Sequence, residues 1–420
     1  MTSRSRVAFC SSPFWDWNLT WHSEFFQLTP CFENTVLVYI PSFVLFGFGL
    51  PTLFKRRKYE KPLPITAVNI LRTFISLTLV SLYALSFIHK IVDYAQGFLI
   101  APSVSTLSAD VVRTIAFGTT VVLQIRQRKS GQRSSSVLFF FWFVSLVCRF
   151  PEYFRCIQEV FREAVPTPRF TAFQFGITVS AYPLVVAQFV LACMNDSVRE
   201  ELEIKGQSPS LSAPPLSSLT FHWVSTFILR GYRRYVTIND LFGVRPDHLT
   251  RYNYSIWESN WKAELLRVGY SSRDGTCRYM KGRPSLFFTF VSTFWVPIAV
   301  SFFFAIVRTF IRTAPALMIN LITNFMASDE PTWKGVVYAC MIVVANLVSA
   351  MFVRHIDYTL STTGLRIRAA IVASVYRKVL RMSSESQGRY TVGELVNLVA
   401  GDADRVYRLT SIVGFVAAGP

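Results

Sequence analysis

Charge is what this sequence has least of. Of its 420 residues, 16% are Asp, Glu, Lys or Arg, where a soluble domain carries about 25%. That shortfall excludes a chain built only of ordinary water-soluble domains. The signatures that hold nucleotides or run acid–base chemistry are missing too. No Gly-Lys pair occurs anywhere, so no phosphate loop offers backbone N–H groups and a lysine to a nucleotide. There is no G-x-S-x-G elbow and no H-E-x-x-H, and His22, His89, His222, His248 and His355 are scattered. The seven cysteines show no C-x-x-C or Cys/His spacing. Neither a catalytic residue nor a metal site follows, and the chain is not expected to be an enzyme by itself.

What is present is apolar. Hydrophobic residues make up 51% of the chain, 38 of them phenylalanine, and mean hydropathy is +0.36. Seven runs near the ~20 residues that a bilayer core requires fall at about 35–54, 65–88, 98–123, 136–154, 171–193, 286–307 and 333–355. The fold class is therefore an all-α polytopic membrane protein, with the lipid bilayer as its first partner. A net charge of +18 raises nucleic acid as a partner, but Lys and Arg cluster in short loops beside the spans instead of forming one basic face. Membrane topology accounts for the charge, and no nucleic acid is expected.

Orientation follows from those loops. Lys55, Arg56, Arg57, Lys58 and Lys61 follow the first span, and Arg126, Arg128, Lys129 and Arg133 follow the third, while Lys90 stands alone after the second. This places the N-terminus outside. The loop after the fourth span mixes Arg155, Arg162 and Arg169 with Glu152, Glu159 and Glu163, and carries little weight against the other two. The first run begins at Thr35 and is long enough to span, so it reads as a retained helix and not as a signal peptide. Asn18 would then be an external glycosylation acceptor, while Asn195 and Asn253 would be cytosolic and unmodified. Cys10 and Cys31 would face an oxidising compartment; a disulfide and two free thiols both fit. Trp15, Trp17 and Trp21 suit a headgroup-level aromatic belt.

Residues 194–283 break the apolar rhythm. A charged start and the Ser/Pro-rich SPSLSAPPLSS precede LTFHWVSTFILRGYRRYVTINDLF, whose apolar residues recur at helical spacing, with Gly231 placed to end the helix. It reads as an interfacial helix, and WESNWKAELLR (257–267) as a second amphipathic piece. The domains expected are 1–193, an external tail and five spans; 194–283, a cytosolic linker; and 284–420, a second membrane unit.

Ionisable residues inside spans need a reason. Asp110 and Arg113, three apart, can pair on one helical face; Arg72 and Arg149 read as structural or snorkelling side chains. Arg308 and Arg312 lie four apart in SFFFAIVRTFIRTAP beside Phe304. One face carries both charges, which suits either an anion in a central cavity or snorkelling to headgroups.

After the seventh span TTGLRIRAAIVASVYRKVLRM (362–382) continues as a helix too polar for lipid. Twenty residues carry it about 30 Å. SSESQGRY then turns the chain, Thr391 can cap a new helix with Glu394 three positions on, and TVGELVNLVAGDADRVYRL climbs back.

GELVNLVAGDADRV resembles the first intracellular coupling segment of ABC exporters, in which G-E-[IL]-V-N is followed by an Asp; here these are Gly393, Glu394, Asn397 and Asp402. The rest resembles the C subfamily of that superfamily, the multidrug resistance-associated proteins. FCSSPFWDWNLTW and PCFENTVLVYIP resemble the subfamily's external tail and first span. QGFLIAPS, IRQRKSGQRSS and FWFVSLVCR resemble its extra five-helix domain. RGYRRYVTINDLF, with Arg230, Gly231, Tyr232 and Arg233, resembles its cytosolic lasso, RPSLFFTF the start of its core bundle, and LRIRAAIVASVYRKVL the helix before the elbow.

The resemblance implies the N-terminal part of an ATP-driven exporter of amphipathic organic anions such as glutathione and glucuronate conjugates, most naturally in the plasma membrane. ATP and Mg belong to the full-length family, whose nucleotide-binding domains and remaining membrane helices are not in this chain. Members that bind glutathione conjugates carry Lys and His directly after S-F-F-F, whereas here Ala305 follows Phe304 and the cations stand at Arg308 and Arg312. Two other readings compete: a channel-regulating relative of the sulfonylurea receptors, which share the five-helix addition and lasso, and a seven-span receptor.

Overall fold

A computed structural model describes residues 9–10, 12–23, 26–54, 63–96, 103–132, 134–161, 172–194, 208–273, 276–279, 283–328, 330–383, 385, 388 and 390–417. Seven of its helices are long and apolar enough to cross a membrane, matching the seven runs in the sequence. The chain forms two compact units, Met1–Leu241 and Phe242–Pro420. The expected linker is thus divided between them. The basic loop 55–62, Asn195, Arg162 and Arg169 lie outside the described residues.

The first unit opens with a one-turn helix α1 (Trp17–Trp21), capped by the Asp16 carboxylate on the N–H groups of Asn18 and Leu19. Its first long helix, α2 (Pro30–Val44), has Pro at its start and Thr29 as N-cap, the arrangement in which proline's missing N–H costs nothing. A π-helical turn (Leu45–Gly49) leads into α3 (Leu50–Phe54). Four helices follow: α4 (Ala67–Ala95), α5 (Val104–Lys129), α6 (Ser136–Phe161) and α7 (Ala172–Cys193). The sequence places Arg155 in a loop, but α6 continues through it to Phe161. Between lipid-exposed helices, packing replaces the hydrophobic drive, and aromatic rings do much of it here. Phe117 stacks on Trp142 at 5.6 Å, and Phe141 meets both edge-on.

After the bundle come α8 (Pro215–Thr220) and α9 (Ser225–Arg233). The expected continuous interfacial helix is interrupted by Phe221, in the left-handed region at φ 57°. The helix also outruns Gly231 by two residues and stops where Arg234 turns extended.

The second unit begins with α10 (Thr250–Arg267), which starts seven residues before the amphipathic piece read from the sequence. Trp257 on it is buried, stacked on Trp261 and on Phe290 at 5.8 Å each. A short antiparallel ribbon, β1 (Tyr270–Arg273) and β2 (Thr276–Tyr279), sets Tyr270 opposite Tyr279; helical periodicity gives no hint of it. The helices α11 (Leu286–Met326) and α12 (Thr332–Val379) are far longer than a bilayer needs. Pro297 explains the break in α11: it removes the N–H that would bond the Thr293 carbonyl, and Phe294 leaves helical geometry beside it. The chain closes on α13 (Val392–Asn397), a π-helical turn (Leu398–Asp402) and α14 (Ala403–Ala417).

Candidate functional site

Long helical continuity is what the second unit offers. From Thr332 to Val379, α12 runs for 48 residues without a break, about 70 Å. No proline or glycine pair interrupts it, and Thr332 starts it directly after Pro331. It pairs with α11 through Ala305, fully buried against Ile356 and Leu360, while Phe304 meets Phe352 at 5.4 Å. Its lower part pairs with α14, where Gly364 makes close approach possible: a Cβ there would collide with Thr410 Oγ1 and lie 3.1 Å from the Tyr407 carbonyl oxygen. Arg368 Nη1 and Arg408 Nε both reach the Asp404 carboxylate, at 3.6 and 2.9 Å.

The elbow between them is built as its sequence implies. Thr391 Oγ1 accepts from the Glu394 N–H at 3.2 Å, and the Glu394 carboxylate accepts from the Thr391 N–H at 2.9 Å, a complete capping box. Gly393, Glu394, Asn397 and Asp402 are all exposed. Asn397 Oδ1 occupies the space a Cβ at Gly401 would take, and Asp402 holds Arg405 at 3.2 Å. Exposed Val392 and Val396 give this polar tip apolar flanks.

Arg308 and Arg312 occupy different surroundings despite their shared face. Arg308 is half-buried, its Nε enclosed without a hydrogen-bond partner, whereas Arg312 is exposed. A cavity of about 1280 Å³ opens between α10, α11, α12 and α14, walled by Trp257, Trp261, Phe290 and Phe302 with Lys378 and Arg381 at its rim. Neither arginine nor Phe304 lines it.

The lasso motif is organised by a residue that sequence reading passed over. Asp240 is buried and accepts from the Thr237 N–H at 3.1 Å, from Thr237 Oγ1 at 2.9 Å and from Arg234 at 2.6 Å, with Arg230 at 3.5 Å. The two Thr237 hydrogen bonds, reinforced by Arg234 and Arg230, hold its carboxyl below the usual carboxylate range. Of the four residues read as the motif, Arg230 alone joins this cluster; Gly231, Tyr232 and Arg233 are exposed. The T-x-x-D spacing of a capping box is the signal that points to Asp240.

A second acidic knot fixes the segment before α10. Asp247 accepts from Arg245 Nε at 3.0 Å and from Arg366 of α12 at 2.8 Å. Burial pushes the Asp247 carboxyl up, but the Arg245 hydrogen bond and the nearby positive charges outweigh it and hold it low. Burial and the Arg366 charge push the neighbouring His248 down. Asn253 sits beside this knot, buried, with Nδ2 donating to the carbonyls of Asp247 and Leu249. Asn18 is exposed on α1.

In the first unit Cys10 and Cys31 form a disulfide, Cα atoms 5.6 Å apart. Trp17 stacks on Trp21, while Trp15 packs edge-on to Phe32. Asp110 does approach Arg113, at 3.8 Å, but its near partners are Lys90 at 2.6 Å and Ser86 at 3.0 Å. Arg113 turns to Glu152 at 2.9 Å, and Arg155 pairs with Glu33 at 2.7 Å. The closest partners come from other helices, which sequence spacing cannot reveal. Arg72 caps the end of α7, donating to the carbonyls of Leu191 and Met194 at 2.7 and 2.9 Å.

A bundle with a disulfide-held tail, followed by a helix hairpin ending in a capped elbow, is the architecture the sequence resemblance implies. The family described as the ABC transporter TMD0 domain matches residues 8–168, and that of the ABC transporter transmembrane region matches residues 298–417. ATP-binding cassette sub-family C member 3 of Homo sapiens is 24% identical over 433 residues, which cover 97% of this chain. The chain matches two membrane families of ABC transporters and is similar to the C subfamily over nearly its whole length. Member 3 of Rattus norvegicus is likewise 24% identical, and member 2 of Mus musculus is 23% identical over 445 residues. The chain spans 28% of the length of each of these C-subfamily relatives, corresponding to the N-terminal portion of the family. It is an integral, multi-pass membrane protein.

Proposed function

We propose that this chain is the N-terminal part of an ATP-driven exporter of amphipathic organic anions, with α11 and α12 forming part of the substrate path and the 391–402 elbow engaging a nucleotide-binding domain. The observation that carries this reading is the rigid link between membrane and elbow. One uninterrupted helix, α12, joins the span to a capped and exposed tip, and α14 returns along it through the Gly364 contact. A push at the tip reaches the span as motion of a rod. ATP and Mg find no fitting residues here, because the chain lacks any phosphate loop, and they are assigned to segments outside it.

Arg308 and Arg312, with Phe304, are the proposed anion-contacting residues. Arg308 has buried donor capacity that no described residue uses, and a guanidinium fork suits carboxylates and sulfonates. In the complete transporter Arg308→Ala should raise the apparent KM for conjugated anions by roughly 10-fold or more and spare neutral substrates. Equal loss of anionic and neutral substrates would reassign the pair to a headgroup anchor. Glu394→Pro, which removes both hydrogen bonds of the capping box and disfavours helical geometry at Gly393, should leave ATP hydrolysis running without transport.

The proposed orientation puts the N-terminus outside, at the plasma membrane. Asn18→Gln should then abolish a glycosidase-sensitive shift on gels, while Asn195→Gln and Asn253→Gln leave it unchanged. The buried amide of Asn253 is closed to a glycan on either side. Loss of the shift in the Asn195 variant would invert the topology.

A further inference from the structure

Three carboxylates inside the first bundle are already committed. Asp110 is bound to Lys90, Glu152 to Arg113 and Glu33 to Arg155. Among the described residues, Arg149 makes a salt bridge with none of the three, although Glu152 acts on it electrostatically. It lies on α6 within the candidate span Ser136–Gln158 and is only 8% exposed. Its guanidinium sits over the rings of Tyr83 at 4.7 Å and Phe117 at 5.8 Å, and it has no hydrogen bond or ion pair to any described residue. Nη1 is fully enclosed with no partner.

Ring faces offset part of a cation's desolvation, but they accept none of its N–H bonds. An enclosed, unpaired guanidinium costs more than the rings offset. The orphaned group borders a small cavity of about 20 Å³ between α2, α5 and α6, room for a single water-sized particle. Arg113, Ser145 and Ser42 share its wall with Arg149. Ser42 Oγ spends its proton on the Val38 carbonyl, and Ser145, 2% exposed, carries a hydroxyl donor. The wall therefore holds two guanidinium groups and two serine hydroxyls but no carboxylate.

We propose that this cavity binds one small monovalent anion of chloride's class, held by Arg149 with Arg113 and Ser145, which neutralises the unpaired charge inside the bundle. The anion is a structural ligand of the first unit, separate from the transported anions proposed for the second.

The test uses the full chain, purified and reconstituted in phosphatidylcholine nanodiscs at constant ionic strength, with sodium gluconate replaced stepwise by sodium chloride. Chloride should produce a saturable rise in Tm of several degrees, and radioactive chloride should be retained at one ion per chain. Arg149→Gln should lose both. Should that variant not fold, Ser145→Ala keeps the cation and should raise the half-saturating chloride concentration roughly 10-fold. Identical Tm in gluconate and chloride with no retained ion would overturn the proposal and leave the cavity to water. A chloride response that persists in Arg149→Gln, or is unmoved by Ser145→Ala, would equally overturn it.

Discussion

The two units solve the same problem, an α-helical chain in lipid, in opposite ways. In the first, each span buries about a third of its most apolar window against its neighbours (28–33%), and the bundle is tied internally by ions from four helices. In the second, α11 and α12 bury 17% and 6% of theirs, and their mutual contact rests on small residues and single rings such as Ala305 and Phe304. One is a self-contained body held by specific polar pairs. The other is a pair of rods whose faces are available to lipid or further helices. Polar pairs fix a register; long bare rods transmit displacement.

The largest expected effect breaks the first of these designs. Lys90→Met leaves the Asp110 carboxylate, 1% exposed, with only Ser86 and the more distant Arg113, and losing the main partner of a buried pair costs up to about 3–5 kcal/mol. Adding Asp110→Leu should recover most of the loss in thermal unfolding. If the single variant melts like wild type, the ions are bystanders and the contrast with the second unit fails.

Gly364→Ala tests the other design. Alanine favours helix by about 1 kcal/mol, but here its Cβ meets the backbone oxygen of Tyr407 at 3.1 Å, which cannot rotate away. A net loss of about 1–3 kcal/mol is expected. Reduced disulfide crosslinking between cysteines placed at Arg368 and Asp404 would report it, and unchanged crosslinking would show that the rods tolerate separation.

A smaller effect sharpens the account of the elbow. Thr391→Ala removes one half of the capping box and should cost about 1 kcal/mol locally, visible as about fivefold faster amide exchange at Glu394. Exchange elsewhere in α12 should stay as it was.

The smallest effect is one of pH. The lowered Asp240 carboxyl favours its ionised, clamped form, so its contribution is complete above the unfolded value near ~3.9 and is lost as pH falls through the lower folded value. Intrinsic-rate-corrected amide exchange over 225–240 should be flat from about pH 7 to 5 and quicken only below about pH 4. Asp240→Asn should show the quickened exchange at every pH. His248, pushed down, works in a higher window: its neutral form is favoured in the fold, so stability begins to fall as pH drops below about 6.5.

What the sequence made legible follows from periodicity and local spacing. All seven spans, the unbroken continuation past residue 355 and the Thr391–Glu394 box are written in residues three or four apart. What it hid depends on distant segments. Lys90 and Asp110, or Arg366 and Asp247, meet because helices far apart in sequence pack side by side, and no spacing rule reaches that far. The lasso shows the intermediate case. The T-x-x-D spacing that marks Asp240 as a cap is in the sequence but was passed over, and Arg230 and Arg234 gather on it only because the chain turns at Arg234. Of the candidate site, the elbow's capping box was readable, whereas its π-helical turn and the unequal burial of Arg308 and Arg312 were not.

The wide turn at Leu398–Asp402 carries a consequence for how this region can vary. A π-turn holds one residue more than an α-turn, and each helical residue advances the phase by about 100°. The turn therefore works as an offset coupling between the elbow and the returning helix. Deleting one residue there would let the turn relax to ordinary α geometry, leaving the 364–410 contact in phase with the rest of α14. Insertion or deletion anywhere in α14 between Ala403 and Tyr407 would swing that contact a quarter-turn away. Length changes between homologous chains should thus collect inside those five residues, where the helix carries slack.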